Sequence, residues 1–81
     1  MKVRARFFSR LRDAAGRAEM DVELDDGATL ADLLRVLFEK FPQLAQWDAH
    51  LLLAIDLEYA ARDHALRDGD EISIMPPVQG G

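Results

Sequence analysis

The chain contains no cysteine. That removes disulfide scaffolds, thiolate metal sites, nucleophilic cysteine chemistry and any carrier mechanism that stores sulfur as a persulfide on this chain. Long hydrophobic runs are also missing: the longest, Leu51-Leu52-Leu53-Ala54-Ile55, is too short to cross a membrane. Lys2, Arg4 and Arg6 stand where a secretory apolar region would begin, so a cytoplasmic protein without membrane association is expected. Positive charge is in short supply. Ten basic residues face fifteen acidic ones, for a net charge of −5, which argues against nucleic acid as a partner and for solubility or a basic protein partner. No Walker sequence, dinucleotide fingerprint or serine–histidine–acid arrangement is present. His50 and His64 lack clustered carboxylates at ligand spacing, so no metal site is expected. Asp25-Asp26 and Asp68 with Asp70 each flank a turn glycine, which solvated turn acids explain adequately.

What remains is one small domain. Its 81 residues, 49% of them hydrophobic, suffice for a core without disulfides or metal. Val3, Ala5 and Phe7 alternate with Arg4, Arg6 and Phe8, the period of a strand with one buried face. Leu11–Ala15 predicts a short helical turn closed by Gly16, and a second alternation sets Ala18, Met20, Val22 and Leu24 against Glu19, Asp21 and Glu23. After the turn at Asp25-Asp26-Gly27, Thr29 and Asp32 approximate a capping box. Leu30, Leu33, Leu34, Leu37, Phe38 and Phe41 then form one helical stripe, which packs against a core more readily than it fills a partner's groove. Arg35 and Glu39 are spaced to pair on the wet side, and Pro42 ends the helix. Gln43 to His50 reads as a loop or irregular helix around Trp47. Leu51–Ile55 is a short apolar strand that Asp56-Leu57-Glu58 turns into a brief partner at Tyr59-Ala60, and Asp68-Gly69-Asp70 leads into a last strand over Glu71–Met75.

One long helix with four or five strands is most economically buried as an α+β, β-grasp (ubiquitin-like) fold: a mixed sheet crossed by the helix, with first and last strands parallel. The expected division is a domain over residues 1–75 and a flexible tail over 76–81, Pro76-Pro77-Val78-Gln79-Gly80-Gly81. Two prolines fix φ and withhold N–H groups from a ladder, while two glycines lack the side chains that would obstruct a narrow slot. Six such residues reach about 20 Å when extended. Terminal diglycines are also common in frayed ends, so the tail carries weight only where a compact domain stops immediately before it.

Leu52-Leu53-Ala54-Ile55-Asp56-Leu57-Glu58-Tyr59, Leu66-Arg67-Asp68-Gly69-Asp70-Glu71-Ile72 and Pro-Pro-Val-Gln-Gly-Gly, with the Phe7-Phe8 opening strand, resemble the MoaD family over essentially the whole chain. This is the small sulfur-carrier subunit of molybdopterin synthase, within the MoaD/ThiS ubiquitin-like superfamily. Asp56 departs from the family, where many relatives carry Asn; both residues suit a turn. The resemblance implies a carrier that is not itself an enzyme and binds no cofactor. An E1-like, MoeB-like adenylyltransferase would use ATP to adenylate the Gly81 carboxylate, a sulfur donor would displace AMP to leave a thiocarboxylate, and a large MoaE-like subunit would use that sulfur to build a dithiolene. The assembly implied is a heterotetramer with the large subunit. Gly80, Gln79, Val78, Pro77 and Pro76 would thread the tail. Phe8, Arg12, Tyr59 and Met75 would dock partners, although Phe8 and Met75 are equally suited to covering each other over neighbouring strands. Two other functions fit the same chain: a ThiS-like carrier for thiamine or tRNA thiolation or a ubiquitin-like modifier, and a β-grasp interaction module with an inert tail.

Overall fold

A computed structural model describes residues 1–77. Strands β1 (Lys2–Phe7), β2 (Glu19–Glu23), β3 (Leu52–Ile55), β4 (Glu58–Tyr59) and β5 (Glu71–Met75) form one sheet in the order β2-β1-β5-β3-β4. β1 and β5 are parallel, with Phe7 beside Ile74, and the other pairings are antiparallel. This is the mixed five-stranded β-grasp sheet predicted from the sequence. Helix α1 (Arg10–Ala15) follows the first strand, helix α2 (Leu30–Lys40) packs across the sheet, and Pro42–His50 is a 3-10 segment where the sequence left a choice between loop and irregular helix.

Local chemistry accounts for each boundary. The Asp32 N–H donates to the Thr29 hydroxyl at 3.3 Å, and the Thr29 N–H donates back to the Asp32 carboxylate at 2.9 Å. Both halves of the capping box are therefore made, and two of the donors left unpaired at a helix start are satisfied. Arg35 turns toward Asp32 in the first turn, not toward Glu39 as its spacing had suggested. The carboxylate that caps the helix is already fixed, so the arginine pairs with a preorganised partner. Gly16 closes α1 at φ 75°, a left-handed conformation that suits glycine.

The core lies between the sheet and α2. Val3, Ala5 and Phe7 of β1, Ile72 and Ile74 of β5, Val22 and Leu53 meet Leu30, Leu33, Leu34 and Leu37 of α2, with Leu11, Leu44 and Leu66 closing the sides. Each large side chain fully buried there contributes about 1.5–3 kcal/mol relative to exposure. Phe7 also meets Phe41 edge to face at 6.0 Å between ring centroids. Among the described residues, no helix lies over the other face of the sheet.

Candidate functional site

β5 is the middle strand, and it ends at Met75 between two neighbours. On one side the Phe8 N–H donates to the Ile74 carbonyl at 3.2 Å, which brings Phe8 alongside the strand's last residues. On the other, Leu52 of β3 is in register with Met75. The chain thus leaves the sheet through Pro76 and Pro77, both half-buried, at the centre of its edge. Val78, Gln79, Gly80 and Gly81, the greater part of the expected threading tail and its reactive end, lie outside the described residues.

The open face is divided. At the β2–β1 side, Arg4 reaches Asp21 at 3.1 Å and Glu19 at 3.7 Å, while Arg6 reaches Glu19 and Glu71 at 3.4 Å each. The Arg4 guanidinium is held above its ordinary pKa, first by its hydrogen bond to Asp21 and then by the negative charges of Asp21 and Glu19. All five side chains are about half exposed, where an ion pair adds little to stability. Toward β3 and β4 the same face becomes apolar: Ser73, Ala54 and Tyr59 share one register row, and Met75 with Leu52 forms the row nearer the tail.

Phe8 is 41% exposed and Tyr59 76%, which puts both off the core as expected, and Met75 is half-buried. Phe8 lies one residue past β1 rather than within it, because Ser9 takes φ 56° and ψ −133° and turns the chain into α1. Arg12 is exposed on that helix. The four predicted docking residues fall around two concavities: Phe8 and Arg12 line one of ≈ 440 Å³ with Arg6 and Glu19, and Tyr59 and Met75 line another of ≈ 240 Å³ with Ala54 and Ser73.

Leu57 was not singled out from the sequence. It is 99% exposed at the tip of the β3–β4 hairpin and lines the second concavity. Its signal was an apolar residue in a two-residue turn, between Asp56 and Glu58. Asp56 holds that turn with φ 54°, a left-handed value that Asp and Asn both tolerate. The departure from the family's Asn therefore leaves the local geometry available. His50 and His64 are both exposed. Among the described residues, no helix is long and apolar enough to cross a membrane.

The sequence pattern of the ThiS family matches residues 5–81. A molybdopterin synthase sulfur carrier subunit of Chlamydomonas reinhardtii is 36% identical, over 100% of both chains. Among solved structures, SAMP1 from Haloferax volcanii superposes with a TM-score of 0.89 at 30% identity, covering 100% of both chains. A chain from the complex of subunits 1 and 2 of molybdopterin-converting factor of Helicobacter pylori gives 0.69 at 28%, also covering 100% of both.

Proposed function

The chain belongs to the ThiS family, among its MoaD-type members, and from that premise we propose how it acts as a sulfur carrier subunit of molybdopterin synthase. The observation that carries the reading is the exit of the chain from the central strand beside partly exposed apolar side chains. A partner that grips residues beyond Pro77 meets Met75, Phe8 and Leu52 at the same time.

The working group in this proposal is the Gly81 carboxylate. At neutral pH a carboxylate is anionic and a poor electrophile, so it must first become a mixed anhydride. An E1-like adenylyltransferase transfers AMP from ATP to it and releases pyrophosphate. Hydrosulfide supplied by a donor then attacks the carbonyl carbon, the C–O bond to AMP breaks and AMP departs with the bonding pair, leaving after loss of a proton the thiocarboxylate that the large subunit consumes. The carrier contributes no acid, base or metal to these steps. Its part is delivery: Gly80 and Gly81 keep the leader slim, Pro76 and Pro77 stiffen its base, Val78 and Gln79 span the slot, and Phe8, Arg12, Tyr59 and Met75 dock on the receiving protein. Pairing of two carriers with two large subunits gives the heterotetramer. The solved complex of two molybdopterin-converting-factor subunits supports a large-subunit partner.

The test is the intact mass of the protein after incubation with the activating enzyme, ATP and a sulfur donor. A gain of about 16 Da confined to the last residue marks oxygen replaced by sulfur; an unchanged mass, or a gain elsewhere in the chain, contradicts the reading. A second function, protein modification, is favoured by the likeness to SAMP1, a small archaeal modifier protein. It would appear in the same spectra as carrier joined to a lysine of another protein.

A further inference from the structure

Charge is unevenly placed along the chain. Six of its ten basic residues, but only Asp13 of its fifteen acids, lie in the first eighteen positions. The fold treats these basic residues in two ways. Arg4 and Arg6 are absorbed by Glu19, Asp21 and Glu71 on the open face, just as Arg35 and Arg62 farther along are absorbed by Asp32 and Asp48. Arg10, Arg12 and Arg17, around α1, are exposed and form no ion pair among the described residues; Lys2 is likewise exposed and unpaired there, but it stands at the opposite end of β1.

Arg17 is nevertheless held. Its guanidinium lies 5.9 Å from the centroid of the Phe41 ring, and Phe41 is itself braced against Phe7. A guanidinium resting on an aromatic face keeps its N–H donors at the rim, so it loses little freedom when a carboxylate arrives. The location adds to this. Phe8 is bonded to Ile74 at the end of β5, and α1 begins two residues later, at Arg10. These cations therefore border the point where the chain leaves the sheet.

We propose that Arg10 and Arg17 extend the docking surface into a positively charged collar around α1, which engages an acidic patch on the large synthase subunit. The inference rests on the delivery reading above. Charge complementarity selects the occupant: beyond position 18 the chain has four basic and fourteen acidic residues, so a long polyanion would be repelled by most of the molecule. A compact acidic patch on a protein meets the collar alone. The collar's contribution is to the rate of encounter, whereas the apolar residues beside it govern how long the complex lasts.

Stopped-flow association with the large synthase subunit, at low and at near-physiological ionic strength, tests this. The Arg10→Glu/Arg17→Glu protein should associate roughly tenfold or more slowly at low salt, with a flattened salt dependence and a dissociation rate within about twofold of wild type. Lys2→Glu/Arg67→Glu makes the same change in net charge at the opposite end of the sheet and should leave association within about twofold. Equal slowing by both pairs, or no slowing by the first, overturns the collar. Retention of wild type but not of Arg10→Glu/Arg17→Glu on duplex DNA at physiological salt would also overturn it, in favour of a polyanion site. Failure of the wild-type protein to associate at all would overturn the delivery reading together with this one.

Discussion

β1 and β5 each have two faces, and the two differ in kind. On the face under α2, Val3, Ala5, Phe7, Ile72 and Ile74 are all at most 3% exposed. On the opposite face the intervening positions hold Lys2, Arg4, Arg6, Glu71, Ser73 and Met75, none of them buried. Successive side chains of a strand point in opposite directions, so one residue step separates what holds the domain together from what it can present. The open face also differs within itself. Its β2–β1 side pairs Arg4 and Arg6 with Glu19, Asp21 and Glu71, and its β5–β3–β4 side leaves apolar groups partly exposed, Tyr59 most of all.

Truncation on the inner face should have the largest effect on stability: Ile72→Ala should lower unfolding free energy by about 2–5 kcal/mol in urea titration while any folded fraction docks normally. On the outer face the consequence should be reversed. Phe8→Glu/Met75→Glu should weaken binding to the large subunit on the order of 100-fold, read by calorimetry, with Tm falling by only a few degrees. A large loss of Tm with binding retained would mean that the two residues chiefly cover each other, and the division between faces would fail.

The smallest effect lies away from both faces, at the start of α2. The Asp32 carboxyl is held below its ordinary pKa, first by the hydrogen bond from the Thr29 N–H and further by the Thr29 hydroxyl and Arg35. A pKa lowered by folding means stability that is fully present above the ordinary carboxylate range and lost as pH falls through the folded value. Asp32→Asn should therefore lower Tm at neutral pH and converge with wild type in strong acid; a constant gap across that range would assign the loss to packing instead.

Patterns of short range were legible in the sequence. Strand parity, the α2 stripe, its capping box and the turns at Gly27 and Gly69 are set by neighbours a few residues apart, and the structure reproduces them. Features that depend on three-dimensional competition were less legible. Arg35 had two carboxylates within helical reach, and the capping geometry decided between them. Ser9 occupies a backbone region that favours glycine, so nothing in its identity announced that β1 would stop at Phe7. The candidate docking residues are visible in the sequence only one by one. Only the register of β3, β4 and β5 revealed that Tyr59 and Met75 share a concavity with Leu57, apart from Phe8 and Arg12.

The most direct measurement compares the intact masses of wild-type and Gly81→Val proteins after the same exposure to the activating enzyme, ATP and a sulfur donor. Wild type should gain about 16 Da at its last residue, while the Gly81→Val protein should stay unmodified with an unchanged Tm, since a side chain there obstructs the slot and leaves the fold alone. Equal conversion of the two proteins would contradict the claim that a slender glycine terminus is what the partner's active site requires.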